Sequence, residues 1–266
     1  KDYQRYDSSD VVLFEGPENE FGFNFYSQNR VFATNDLYFK VVKGSENIQV
    51  RDKPEEVVLR LYAEDDQYIE YIYTMKPGSY MVDFQVNMHN MNEVLPANTT
   101  FLDLKWSMNV LAQEKGKKWE TRYSGVYYKF HEDEVENLST NSDEDSEQIT
   151  TKLKWISYKQ QFFASVLMAN NFMLSADVSY SNMEDSEKYI MRCNSEITFP
   201  YENQARTEVP LSFYFGPNKH QRLATHDQDL EELIPLGWAI FGWVNRFAII
   251  PAFNFLGNYF ANYGII

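Results

Sequence analysis

Apolar and polar residues alternate along several stretches of this chain, and this pattern restricts the local structure more than any other feature. Between Leu102 and Val110 every second residue is apolar, and the residues between them are polar or charged. The stretch from Val82 to Met88 alternates in the same way. Successive side chains of a β-strand point to opposite faces of its sheet. Each stretch is therefore predicted to form a strand with one buried and one hydrated face.

Glycine and proline separate these alternating runs. The clearest turn signals are Gly16-Pro17, Pro77-Gly78 and Gly216-Pro217. Similar strand-like runs lie at residues 21–25, 57–61, 68–75, 126–130, 178–180 and 209–215. No helical connectors alternate with them, whereas parallel strands need long crossover connections that are usually helical. The predicted fold class is mainly β: an antiparallel β-sandwich with helices near the C-terminus.

The last 31 residues, Leu236 to Ile266, carry one charge, Arg246, and nine aromatic side chains. On a helical wheel Asn254, Asn258 and Asn262 fall within one narrow arc, beside a wide aromatic face. This distribution is typical of a helix in the membrane interface, where Trp and Tyr keep their polar atoms hydrated. The residues predicted to contact lipid are Trp238, Phe241, Trp243, Phe247, Phe253, Phe255 and Tyr259. The alternative is a helix buried against the sandwich.

These patterns divide the chain into four predicted segments. They are a β-sandwich over residues 1–218, a linker helix over 219–234, an amphipathic interfacial helix over 235–258, and the start of a transmembrane helix over 259–266. Crossing a bilayer takes about 20 apolar residues, so the last segment is too short to span one. Because the chain begins with Lys1, we expect it to be a fragment of a longer protein.

The charge balance excludes one class of partner. The net charge is −15, and binding to nucleic acid requires a basic surface.

The segment from Glu132 to Glu147 contains eight carboxylates and no Lys or Arg. Its composition predicts a solvated loop rather than a calcium site, because the spacing of calcium-binding loops is missing. The single cysteine, Cys193, excludes an internal disulfide and is expected to be a buried strand residue.

The sequence lacks the common catalytic and cofactor-binding motifs. The four histidines do not have zinc-ligand spacing, and the sequence contains no nucleophile-elbow, phosphate-loop or dinucleotide-binding glycine pattern. We therefore predict no catalytic residues, no metal site and no cofactor.

Several segments resemble a known family in their order and spacing. Trp155 to Ala164, WISYKQQFFA, is similar to a W-x(5)-QQ-[FY]-F-A segment of the large periplasmic domain of the YidC membrane protein insertases. Tyr71 to Tyr80 and Leu211 to Pro217 resemble two further strand regions of that domain, and Leu230 to Ile266 resembles its link into the membrane. The motif residues, interpreted as structural, are Trp155, Gln160, Gln161, Phe162, Phe163, Gly216 and Pro217.

The resemblance implies a twisted β-supersandwich of the galactose mutarotase type. It also implies a domain that faces the periplasm at the bacterial inner membrane, and that assists insertion and folding of nascent membrane proteins, alone or with the Sec translocon. In this family insertion is carried out by transmembrane helices that would follow Ile266. The chain itself is then a scaffold or docking surface and not an enzyme.

Two alternatives remain at this point. The first is a carbohydrate-binding or mutarotase-like β-sandwich, which would need an acid/base pair, usually His and Glu, across a concave sheet. His89 has no supporting motif, and this alternative leaves the aromatic C-terminal stretch unexplained. The second is a membrane-anchored interaction module of another envelope protein, which does not account for the Trp155 to Ala164 segment.

Overall fold

A computed structural model describes residues 3–27, 30–45, 47–235, 244 and 248–257. The fifteen strands in chain order are β1 (Glu20–Ser27), β2 (Arg30–Ala33), β3 (Lys40–Lys43), β4 (Glu55–Glu64), β5 (Gln67–Met75), β6 (Met81–His89), β7 (Phe101–Leu111), β8 (Gly125–Phe130), β9 (Val135–Asn137), β10 (Glu144–Ile149), β11 (Leu153–Lys159), β12 (Phe163–Met173), β13 (Ser175–Asn182), β14 (Tyr189–Pro200) and β15 (Arg206–Pro217). The α-helices are α1 (Lys117–Arg122), α2 (His220–Ala224) and α3 (Ile250–Gly257), and short 3-10 helices cover Thr34–Asp36, Met91–Glu93 and Leu230–Leu233.

The strands form two sheets. The six-stranded sheet has the order β10-β13-β14-β7-β1-β2, and the nine-stranded sheet has the order β3-β4-β5-β6-β15-β12-β11-β8-β9. All neighbouring strands pair antiparallel. The predicted mainly-β antiparallel sandwich is confirmed.

Apolar and polar residues alternate along β7, and the apolar ones enter the hydrophobic core between the two sheets. Leu104, Trp106 and Met108 are buried and belong to one hydrophobic cluster with residues of the facing sheet, such as Phe84 and Tyr158. Met108 and Trp106 lie opposite Cys193 and Ser195 of β14. The period of two therefore sets which face of the central strand meets the other sheet.

The acidic segment differs in part from its prediction. Much of residues 132–147 lies in two strands, β9 and most of β10, which pair with β8 and β13. Buried Leu138 and Ile149 fix the segment to the sandwich. The hydroxyl of Tyr128 donates to Glu147 Oε2 at 2.6 Å. Most side chains of the segment are exposed, as predicted, and the residues outside the two strands form loops. The two short edge strands were not predicted, because their partners β8 and β13 cannot be recognised from the composition of the segment.

The chain divides into two compact units, Lys1–Pro217 and Asn218–Ile266. In the second unit the predicted linker helix consists of α2 and the 3-10 helix Leu230–Leu233. Asp227 and Asp229 between them have φ values of 51° and 55°, which interrupt a continuous helix. Leu223, Leu230 and Leu233 are fully buried. No helix among the residues that the structure describes is long and apolar enough to cross a membrane.

Candidate functional site: an apolar cleft between the two sheets

A cleft of about 540 Å³ opens within the first unit, between the two sheets. One wall comes from the six-stranded sheet and includes Phe21 and Trp106, while Tyr73 and Phe213 belong to the opposite wall. The segment that precedes β1 lies along the opening. The complete lining is Phe14, Glu15, Gly16, Asn19, Glu20, Phe21, Tyr73, Val82, Trp106, Ser107, Met108, Phe213 and Phe215.

Aromatic rings form a continuous layer in this cleft. The rings of Phe213 and Phe215 stack with centroids 5.2 Å apart. Phe21 meets Phe213 edge-on at 5.1 Å, and Phe14 lies 5.1 Å from Phe215 at a tilt. Phe14 is 47% exposed, although it is a large apolar side chain at the opening. The cleft therefore presents an apolar, aromatic surface whose outer ring is accessible to solvent.

Three polar side chains at the rim of the cleft are paired, whereas the buried hydroxyl of Ser107 in its lining has no hydrogen-bond partner among the described residues. Glu20 forms an ion pair with Lys105 at 2.5 Å, and Glu15 forms one with Lys188 at 2.9 Å. The side-chain oxygen of Asn19 accepts the backbone N–H of Asn109 at 3.0 Å. These contacts fix the segment that borders the opening.

The titratable side chains that line the cleft are Glu15, Glu20 and Tyr73. Burial, with a smaller contribution from Tyr71, raises the pKa of Tyr73 well above its usual value of 10. Tyr73 is therefore uncharged at neutral pH. The arrangement is suited to binding an apolar group through contact and burial.

The predicted motif residues of the 155–164 segment lie on β11, on β12 and in the turn between them. Trp155 is fully buried. The side chain of Gln160 is buried and donates through Nε2 to the Leu111 carbonyl at 2.8 Å. Phe163 packs edge-on against Tyr3 at 5.5 Å. Gln161 is partly exposed, and Phe162 is exposed.

Gly216 and Pro217 end β15. A Cβ atom placed on Gly216 would lie 2.7 Å from the Tyr214 ring and 2.9 Å from Tyr80 Cβ. The hydroxyl of Tyr214 donates to the Pro217 carbonyl at 2.7 Å. Gly216 is thus required for close packing at the end of this strand.

Most of the predicted lipid-contacting residues lie outside the described residues, namely Trp238, Phe241, Trp243, Phe247 and Tyr259. Phe253 and Phe255 lie on α3, and the side chain of Phe255 is 61% exposed. The interfacial role of this set stays a prediction.

The cleft residues were not singled out from the sequence. Val82, Trp106 and Phe213 all belong to alternating runs, so each was expected on a buried face. Phe14 belongs to no alternating run. The one sequence signal that could have drawn attention to it is its position two residues before the turn signal at Gly16-Pro17. Which inward-facing residues border an opening depends on how two distant sheets meet.

Fold and cleft together define a two-sheet antiparallel β-sandwich with an apolar cleft between its layers. The sequence model of the YidC periplasmic domain matches residues 1–247, and the chain belongs to this family. A protein of Parabacteroides distasonis named Membrane protein insertase YidC is 39% identical over 275 residues, covering all of this chain and 42% of that protein. A protein of the same name from Porphyromonas gingivalis is 34% identical, again over the whole chain and 43% of its own length.

The chain therefore spans less than half the length of these relatives. Among solved structures, a galactose mutarotase related enzyme from Lactobacillus acidophilus is similar, with a TM-score of 0.39 and 7% identity. The match covers 73% of this chain and 78% of that one. A likeness at this level gives no basis for transferring an activity.

Proposed function

We propose that this chain is the periplasmic part of a bacterial inner-membrane insertase, acting as a scaffold and docking surface and not as an enzyme. The observation that carries this proposal is the family match over residues 1–247, which runs through the sandwich and into the aromatic C-terminal stretch. Insertion itself would be performed by the part of the protein that this chain does not include, since the chain spans 42% and 43% of the two relatives.

We further propose that the cleft is the docking surface. Its volume of about 540 Å³ lies within the ~300–1,000 Å³ of typical ligand pockets, enough for a few apolar side chains. The proposed occupant is an extended apolar segment of a nascent membrane protein, or of a Sec translocon component that works beside the insertase. Phe14 and Phe215 would contact it first, because Phe14 is the accessible ring at the opening.

Membrane attachment is proposed to come from the predicted interfacial helix at residues 235–258. Liposome flotation of residues 1–266 should be compared with that of a chain ending at Ile234. Flotation of the longer chain alone supports the anchor. If neither chain floats, the aromatic stretch does not act as an anchor, and the sugar-binding alternative gains weight.

The accessory role is tested in the full-length protein. The sandwich, residues 1–218, is deleted while the interfacial segment is kept, and insertion of a substrate protein is measured. We expect insertion to continue at a reduced rate. Complete loss of insertion, with normal accumulation of the truncated protein, would contradict a scaffolding role.

A further inference from the structure

One end of the sandwich gathers the ends of several strands. β15 finishes at Pro217, which lies opposite Phe163 at the start of β12. β11 finishes at Lys159, opposite Gly125 at the start of β8. The turn between β11 and β12 contacts the end of β7, because the Gln160 side chain donates to Leu111. We call this the exit end, since the chain leaves the sandwich there.

The loops over the exit end are held in place by buried polar contacts. The Lys159 ammonium donates to the Tyr123 carbonyl at 2.6 Å. The Glu120 carboxylate accepts backbone N–H groups from Gln113 at 3.0 Å and from Glu114 at 3.1 Å. These bonds tie α1 to the end of the sandwich.

The N-terminal segment is tied to the same end. The guanidinium of Arg5 donates to the Ala112 carbonyl, immediately after β7. The ring of Tyr3 packs on Phe163. Tyr3 and Pro217 thus both lie beside Phe163, and the chain enters and leaves the first unit at one end.

Four aromatic side chains at this end face solvent despite the fixed backbone beneath them. Phe162 is 52% exposed and Trp119 is 55% exposed. Tyr123 meets Trp119 edge-on at 5.3 Å, and Tyr6 follows Arg5. We call this group the aromatic end, comprising Tyr6, Trp119, Tyr123 and Phe162. Trp119 and Tyr123 are in direct contact, and Phe162 and Tyr6 belong to neighbouring loops of the same end. Exposed aromatic groups of this kind mark contact surfaces, because their exposure to water is unfavourable.

Positively charged side chains lie near the aromatic rings of α1. In α1 the one acidic side chain, Glu120, points inward and is buried, while Lys118 and Arg122 are exposed. Arg122 lies over the Trp119 ring at 5.8 Å. Lys117 is directed away, to the carbonyls of Met183 and Glu184. In a chain of net charge −15, this helix turns aromatic and basic groups outward.

We propose that the aromatic end rests in the headgroup region of the lipid bilayer. Trp and Tyr rings favour that depth, and Lys and Arg reach from it to phosphate groups. The connectivity supports lipid as the occupant, because the chain leaves the sandwich at Pro217, beside Phe163, and continues toward the proposed anchor. Eighteen residues, 218–235, lie between Pro217 and Leu236, where the aromatic stretch begins, and they can span at most about 65 Å. The inference rests on the proposed membrane anchor of residues 235–258.

A fluorescent reporter tests this surface separately from the anchor. Phe162→Cys and Trp119→Cys are labelled with an environment-sensitive NBD dye in the whole chain. The natural Cys193 is fully buried, and burial raises its pKa, so it stays unlabelled in the folded protein. The control is Asn98→Cys, an exposed site just before β7 begins, at the end of that strand opposite Leu111.

Vesicles of phosphatidylethanolamine and phosphatidylglycerol in a 3:1 ratio are added, and flotation is measured on the same samples. We expect the chain to float and the dye at positions 162 and 119 to shift to shorter wavelength, with the dye at 98 unchanged. The double substitution Phe162→Ser with Trp119→Ser should lower vesicle affinity about tenfold. A chain that floats while all three dyes remain in a water-like environment overturns the inference. A chain that does not float overturns both the anchor and this inference, whereas floating with water-like dyes overturns this inference alone.

Discussion

Tyr158 on β11 is hydrogen-bonded to the backbone of Trp106 on β7, so one residue pair joins the two sheets. Its hydroxyl donates to the Trp106 carbonyl at 2.7 Å, and the two rings stack with centroids 3.9 Å apart. The same hydroxyl lies 2.8 Å from Ser195 Oγ on β14. Tyr158 is fully buried.

Tyr158→Phe should therefore destabilise the sandwich. It leaves the Trp106 carbonyl and the Ser195 hydroxyl without this buried partner, which costs about 1–3 kcal/mol. Urea denaturation followed by circular dichroism measures the loss. The control is Tyr38→Phe at a residue that is 95% exposed, where we expect a change within about 0.5 kcal/mol. Equal stability of the two variants would show that the inter-sheet bond contributes nothing.

Gly216→Ala should destabilise the end of β15. The added methyl group would lie 2.7 Å from the Tyr214 ring and 2.9 Å from Tyr80 Cβ, and we expect a cost of about 1–3 kcal/mol from this overpacking. Gly116→Ala is the matched control, because its nearest neighbour would be 3.7 Å away. Thermal unfolding of both variants gives the comparison, and an unchanged Tm for Gly216→Ala would contradict the packing argument.

Lys159 should make stability depend on pH under alkaline conditions. Burial lowers the pKa of its ammonium from 10.5 to about 8. Between these values the unfolded chain binds the proton and the folded chain does not, so this group makes stability rise as pH rises from about 8 to 10.5. The difference in unfolding free energy between the wild type and Lys159→Met isolates this contribution from other titrating groups. A difference that stays constant over this pH window would refute it.

Phe14 should report on occupancy of the cleft. A photoreactive phenylalanine analogue at position 14 of the full-length insertase is expected to crosslink a nascent membrane protein, because this ring lies at the cleft opening beside Phe215. The same analogue at position 38 is the control, since Tyr38 is more exposed but does not line the cleft. Similar crosslinking at both positions would indicate contact governed by exposure and not by the cleft.

Features of the fold that depend on neighbouring residues could be predicted from the sequence, whereas features that depend on contacts between distant residues could not. The alternation around Trp106 correctly predicted strand β7 and its buried face, because side-chain direction in a strand is a local property. The strands within the acidic segment 132–147 were not predicted, because β10 is formed through its pairing with the distant strand β13. The interfacial residues near Trp238 lie outside the described residues and stay a prediction.

The candidate sites were less accessible to sequence reasoning than the fold. Phe162 stood out only as part of a family motif, and nothing in its neighbours indicated that it would be exposed while Phe163 is packed. Lys159 is the last residue of β11, a strand that belongs to no alternating run, and its buried ammonium donates to the Tyr123 carbonyl of a loop that is distant in the sequence. Both outcomes depend on which loops cover the end of the sandwich.

The sequence by itself determined the mainly-β class, the inward faces of the central strands and the family, because each rests on local alternation or on ordered motifs along the chain. Only the tertiary structure decided that Phe14 and Trp106 line one cleft, and that Tyr3 and Pro217 meet beside Phe163. The physical reason is that antiparallel strands with similar apolar faces can pair in many orders. The chosen order is stabilised by packing and hydrogen bonds between residues far apart in the chain, such as Tyr158 and Trp106.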